Sequence, residues 1–414
     1  MDTFRRRRRR RRRKTTPFLL LSLFFLVLEG SSSLVLGLNY TRFKTVGSLR
    51  FARIQRHLDK INKPAIKTIR SPDGDIIDCV LKHEQPALDH PLLMNHKIQS
   101  VAPERPKSFR MYEGVRYNSS DEGAWQTWHQ IEHQCPEKTI PIRRSSMHDV
   151  LRAKSLYHFG KKQRKLYLHK KVDAPDVVSG NGHEHAIAYT GRSQELYGAK
   201  ATINVWEPSI EVLNEFSLSQ IWVLSGEFDS DLNSIEAGWQ SDAYQATGCY
   251  NLLCSGFIQT NNRIAIGAAI SPVSSFSSNQ YDISILIWKD PKLGNWWMGF
   301  GENMLVGYWP AELFTHLADH ATMVEWGGEV VNTRANGEHT FTQMGSGHFA
   351  EDGFGKSSYF RNLEVVDSDN SLSSVEEIST LAENTNCYNI KSSFSSGWGT
   401  HFYFGGPGNN PQCQ

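Results

Sequence analysis

Met323-Val-Glu-Trp-Gly-Gly-Glu-Val-Val-Asn332 alternates, with Val324, Trp326 and Val330 on one side and Glu325 and Glu329 on the other. A period of two marks a β-strand with one packed face and one polar face. Ser234-Ile-Glu-Ala-Gly-Trp239 repeats the pattern, setting Ile235, Ala237 and Trp239 opposite Glu236 and Gly238. Outward from these two segments, strands are predicted at Ala186–Thr190, Ala199–Trp206, Phe216–Leu224, Phe257–Gln259, Tyr281–Lys289, Trp296–Phe300, Met304–Trp309 and His401–Gly405. All are short, aromatic or β-branched, and punctuated by Gly, Asn and Pro, as in an all-β sandwich or barrel. One helix is predicted among them, opening at Pro310 and carrying Leu313, Leu317 and His320.

Composition agrees with this reading. The 414 residues include 11 Trp, 14 Tyr, 21 Phe and 32 Gly, which favours strands and turns over a helical bundle. The length suggests two or three compact units. The net charge of +2 hides a division. From Val177 onward there are 9 Lys and Arg against 26 Asp and Glu; residues 1–176 hold 36 against 17. A basic N-terminal part followed by an acidic C-terminal part is not one uniform domain. The acidic part also argues against nucleic acid as a partner, which needs a basic footprint.

The N-terminus reads as a secretory signal within residues 1–37. The arginine run Arg5–Arg13 precedes the apolar Phe18–Leu28, which is too short for a membrane span, and Ser31–Ser33 follow. Secretion, to the extracellular space, cell wall or vacuole, without a membrane anchor, is therefore expected. Six cysteines suit an oxidising compartment. Their grouping suggests Cys79–Cys135, Cys249–Cys254 and Cys387–Cys413, and Asn39 and Asn118 head glycosylation sequons.

In the basic part, Ile54, Leu58 and Ile61 predict an amphipathic helix over residues 49–63. Ala65–Arg70 and Ile76–Leu81 flank the turn Ser71-Pro-Asp-Gly-Asp75, residues 83–125 look irregular and wrapping, and Cys135–Arg144 looks extended. The basic run 160–171 is the sort of exposed site that proteases cut, and a boundary follows near 172–182.

No GxSxG, P-loop or HExxH motif is present. His183 and His185 of Gly182-His-Glu-His185 share a strand face, so a metal is geometrically feasible, but spacing nominates no third ligand. No metal or cofactor is assigned. The carboxylates carry more. A strand Glu is most often just solvent-facing; beside Glu329, however, Gly327 and Gly328 remove side chains, as a site that admits a ligand requires.

Several segments resemble the neprosin family of plant secreted proteins, the glutamic prolyl endopeptidases. Ile54–Pro64, Ile69–Cys79 and Cys135–Arg144 resemble the family's activation peptide. His183–Ile187, Ile235–Trp239, Thr247–Cys254, Val306–Pro310, Trp326–Glu329 and Gln343–Gly347 resemble its catalytic part. The resemblance implies a pro-segment over 38–176 with a small α+β fold. It also implies a catalytic domain over 177–414 built as an antiparallel two-sheet β-sandwich. The catalytic pair it implies is Glu236 and Glu329, with Glu325 the alternate second acid because it shares the face.

The implied partner is a proline-containing peptide or protein, cleaved after proline at acidic pH by a monomer made as a zymogen. The chain departs from the family pattern after Trp239, where Gln240 runs almost directly into Ser241-Asp-Ala-Tyr-Gln245. A strand lost there bears on activity more than on fold. The rivals are a catalytically inactive cell-wall or carbohydrate-binding relative and a two-carboxylate glycosidase.

Overall fold

The computed structural model describes residues 49–108, 125–131, 134–152, 156, 159, 182–191, 194–212, 215–227, 231–241, 251–253, 255–334 and 338–413. The expected signal, both sequons, Cys249–Cys254, the basic run 160–171 and the shortened connection beyond Ser241 lie outside these residues. The chain divides into two units, Met1–Arg56 and His57–Gln414. Of the first, the described residues 49–56 are helical. All that follows concerns the second.

The N-terminal segment carries β1 (Lys67–Arg70), β2 (Ile76–Leu81), β3 (Lys107–Ser108), β4 (Trp125–Gln126) and β5 (Thr139–Arg143). Then come β6 (His183–Tyr189), β7 (Gly198–Asn204), β8 (Ser217–Ser225), β9 (Asn233–Ser241), β10 (Ile258–Gln259), β11 (Ile270–Ser271) and β12 (Asp282–Lys289). The chain closes with β13 (Trp296–Phe300), β14 (Met304–Trp309), β15 (Met323–Val331), β16 (Ser358–Val366), β17 (Ser371–Ser374), β18 (Ser379–Ala382), β19 (Asn389–Ser395) and β20 (Gly399–Gly405). The protein is mostly β.

Two large sheets result. One has ten strands, with the path β10-β14-β13-β12-β7-β16-β17-β3 and with β20 and β19 extending from β16. The other has five, in the order β18-β6-β15-β8-β9, every neighbouring pair antiparallel. Alternation decides what each strand contributes. Ala186, Ile221, Val223, Ile235, Trp239, Val324, Trp326 and Val330 of the five-stranded sheet share one buried cluster with Ile203, Ile283, Ile285, Ile287, Phe360, Phe402 and Phe404 of the other. Removing this much aromatic and β-branched surface from water is the main force holding the sheets together.

The N-terminal segment begins as predicted. Residues 57–61 are helical, with Leu58 buried. β1 and β2 pair around a turn in which the Ser71 amide donates to Asp75 O at 2.8 Å and Gly74 takes φ +96°. β5 completes this small sheet, and Cys79–Cys135 ties it to the chain before β5.

The following stretch wraps across the far face of the ten-stranded sheet. Ala87 and Leu93 join Leu286, Trp288, Trp297, Tyr308 and Val366 in one buried cluster. Gln85 and Gln259 exchange buried hydrogen bonds, the Gln259 amide donating to Gln85 Oε1 at 2.8 Å and Gln85 Nε2 to Gln259 O at 3.2 Å. The Trp288 indole donates to Glu104 O at 3.0 Å, and His96 reaches Glu312 at 2.8 Å and the Tyr308 hydroxyl at 3.0 Å. β3 adds in parallel to β17, and β4 pairs with β11.

The helix predicted from Pro310 is absent. A single 3-10 turn, Ala311–Leu313, ends at an extended Phe314. Asn233 explains the stop: its Oδ1 accepts the amides of Thr315, His316 and Leu317 at 2.9, 2.8 and 3.2 Å, the donors a helix would have used. Leu317 is thereby held in the core, where its carbonyl accepts from the Trp296 indole at 2.7 Å. Seven strands, β3, β4, β11 and β16 to β19, went unpredicted. β16 is interrupted by a register shift between Arg361 and Glu364, with Asn362 at φ +54°, and β19 is polar and largely exposed.

Candidate active site

The five-stranded sheet brings the two predicted glutamates to its face away from the shared core. Pairing defines the rows of that face. Tyr189, Glu325, Trp222 and Glu236 form the first; Ile187, Gly327, Gln220 and Gly238 the second; His185, Glu329, Leu218 and Gln240 the third. Trp239, Trp326 and Val330 point the other way, into the core.

Glu236 therefore stands on β9 in the first row and Glu329 on β15 in the third. Two strand spacings and four residues separate them, roughly 16 Å between Cα atoms on ideal sheet dimensions. Gln220 lies midway on that diagonal. Glu325 shares Glu236's row, with Trp222 between them.

Between β15 and β9 the row between the acids carries one side chain, Gln220, with Ile187 beyond Gly327 on β6. Gly327 has φ +153°, and a Cβ there would meet Ala186 O at 2.3 Å. Gly238 borders Gln220 on its other side, and a Cβ there would meet Ser219 O at 2.0 Å. Backbone packing thus excludes a side chain at both positions, leaving a furrow floored by glycine with one amide in it. Gly328, by contrast, faces the core, where a Cβ would strike Phe404 at 2.6 Å.

The two carboxyls have different company. Glu236 Oε2 accepts from Gln220 Nε2 at 3.1 Å, and its Oε1 accepts from the Ser234 hydroxyl at 2.9 Å. Glu329 is 8% exposed and turns toward β6, where its Oε1 meets His183 Nδ1 and lies 3.8 Å from His185 Nε2. His185 reaches on through Nδ1 to Glu383 Oε1 at 3.3 Å, while its own amide donates to Glu383 Oε2. Burial opposes a charge on His185, but Glu329, Glu383 and Glu325 outweigh it and push its pKa up to about 9. His183 and His185, which alternation placed on one face, thus direct their rings to carboxylates.

Sequence reasoning missed Gln220 and Glu383. Gln220 sits inside an apolar strand, Ser217–Ser225, and nothing in its neighbours marks it; Glu383 follows a strand that was not predicted. The His183-Glu-His185 alternation was the one available signal for the imidazole pair.

The neprosin family profile matches residues 213–407, a span that carries both Glu236 and Glu329, and the neprosin activation peptide profile matches residues 68–189. The chain belongs to the neprosin family. The activation peptide match extends over the whole of β6, yet in this neprosin that strand lies between β18 and β15 inside the five-stranded sheet.

Two solved structures are similar in part. SCP-B, a member of the Eqolisin family of peptidases in a complex with the tripeptide Ala-Ile-His, shares 10% identity over 54% of this chain and 97% of its own, with a TM-score of 0.29. Scytalido-glutamic peptidase with a peptide-based transition-state analog shows the same identity and coverage and a TM-score of 0.27. Similarity at this level carries no residue from either to this neprosin.

Proposed function

We propose that this neprosin is a secreted glutamic endopeptidase, made as a zymogen, that cleaves after proline at acidic pH. The catalytic domain is read as an antiparallel two-sheet sandwich beginning near 177, and the activation segment as residues 38–176. The observation that carries the reading is the placement of Glu236 and Glu329 on one face across a glycine-floored furrow, turned away from the packed core. Two carboxyls hydrolyse a peptide without a nucleophilic side chain when one is ionised and takes a proton from water while the other, neutral, protonates the leaving nitrogen. For both to act on one peptide bond, Glu329 has to swing from the β6 histidines toward Gln220 when substrate enters.

β9 bears on the shortened segment. Trp239, Gln240 and Ser241 pair with Ser219, Leu218 and Ser217, so the strand carrying Glu236 extends past Trp239 into the segment where the chain departs from the family pattern. That favours a working site over an inactive binding relative.

Replacing Glu236 or Glu329 by Gln and assaying a proline-containing peptide in acid tests the reading. Loss of hydrolysis in both supports it, and retention in either opposes it. Maturation belongs to the same proposal. With β6 inside the sheet, the proposed cut lies before His183, near the 172–182 boundary.

A further inference from the structure

We propose that His185 is a positioning residue that holds Glu329 ionised, making Glu329 the base and Glu236 the acid of the pair; this rests on the glutamic peptidase reading. The argument begins with proton count. His185 lies between two carboxylates, Nε2 at 3.8 Å from Glu329 and Nδ1 at 3.3 Å from Glu383. Nδ1 is within hydrogen-bond reach of Glu383 and Nε2 is at ion-pair distance from Glu329, so a carboxylate on either side of the ring favours its doubly protonated form. The resulting cation is 5% exposed, so water screens it little, and it favours the charged form of the carboxylate beside it.

The groups around the ring agree. β15 contributes Glu329 and Glu325, the segment after β18 contributes Glu383, and the ring's own strand contributes His183, whose Nδ1 also meets Glu329 Oε1. Glu383 is fixed in turn through its other oxygen by the His185 amide. A carboxylate, an imidazolium and a second carboxylate thus stand in line, the last on the catalytic face.

Glu236 is held by groups that suit either protonation state. The Gln220 amide donates to one oxygen, and the Ser234 hydroxyl, beside the other, can donate to a carboxylate or accept from a carboxylic acid. In the reaction, Glu329 takes a proton from water as the water oxygen bonds to the peptide carbonyl carbon. Glu236 then gives its proton to the nitrogen as the C–N bond breaks. Release of the Glu329 proton and recharging of Glu236 from solvent restore the starting state, with no other reactant.

The test is the pH profile of kcat/KM for the acid-activated protein, wild type against His185→Gln. The base sets the acid limb and the acid sets the alkaline limb. His185→Gln should move the acid limb upward by about one pH unit, lowering kcat about tenfold at the acid end with KM little changed. The alkaline limb should stay. Glu383→Gln, a milder change, should move the same limb the same way by less, and it substitutes if His185→Gln does not fold.

A uniform loss at every pH, an unmoved acid limb, or a shift of the alkaline limb would overturn the assignment. If Glu236→Gln and Glu329→Gln abolish activity while the acid limb stays fixed, only this inference fails; if they retain activity, the peptidase reading itself fails. Carboxyl-labelled glutamate read by NMR in the full chain needs no turnover: Glu329 should be ionised across the working pH range, and a protonated Glu329 there would contradict the proposal.

Discussion

Glu329 and His185 face each other across β15 and β6, and the ring's second nitrogen faces Glu383, so one imidazole couples the face that carries Glu236 and Glu329 to the segment after β18. This coupling makes stability depend on pH in a defined direction. The folded pKa of about 9 lies above the ordinary 6.5. The stabilisation is therefore full below about 6.5 and is lost as pH rises through about 9. Thermal melts of the intact chain should show Tm falling across that window, and His185→Gln should flatten the fall. An unchanged slope in the variant would count against the coupling.

Gly327 should tolerate no side chain. Gly327→Ala combines a backbone at φ +153° with a Cβ 2.3 Å from Ala186 O, in the strand that carries Glu329. A loss on the order of 1–3 kcal/mol in denaturant unfolding is expected, with hydrolysis reduced beyond what unfolding explains. A stable, fully active variant would mean that the furrow floor is not constrained as described.

Asn233 is predicted to hold the 315–317 turn. Asn233→Ala leaves three amides without their acceptor and should cost about 1–3 kcal/mol. Hydrogen exchange at Thr315, His316 and Leu317 should rise selectively. Equal protection in the variant would mean that another group stops the helix after Leu313.

These cases show what the sequence could and could not convey. Strands with strict alternation, such as Met323–Val331 and Asn233–Ser241, were legible because a period of two assigns every side chain to a face. The Cys79–Cys135 and Cys387–Cys413 bridges followed from grouping along the chain. The helix from Pro310 failed because a side chain remote in sequence captured its amides, which no local pattern reports. β16 was missed because its register shift breaks the alternation on which the reading depends. At the site, the face on which each glutamate stands was readable, but its partners were not: Gln220 lies on β8 and Glu383 just after β18, strands whose order in the sheet is a tertiary fact.

Maturation should be acid-dependent. The N-terminal part carries a surplus of positive charge and the remainder a deficit, an attraction that weakens as carboxylates protonate. Intact mass after incubation at acidic and neutral pH should show a new N-terminus near 172–182 only in acid. Cys79–Cys135 lies wholly within the departing segment, so separation should need no reductant. A mature chain starting beyond Tyr189 would have lost β6 and would contradict the placement of that strand.

The most direct measurement is steady-state hydrolysis of a proline-containing peptide at acidic pH by wild type, Glu236→Gln, Glu329→Gln and Glu325→Gln, each shown to be folded. The account predicts that the Glu236 and Glu329 variants each lose at least about two orders of magnitude in kcat. Glu325→Gln, two repeats of the strand alternation away on the same face, should keep most of its activity. Wild-type kcat in Glu236→Gln, or an inactive Glu325→Gln beside an active Glu329→Gln, would contradict it.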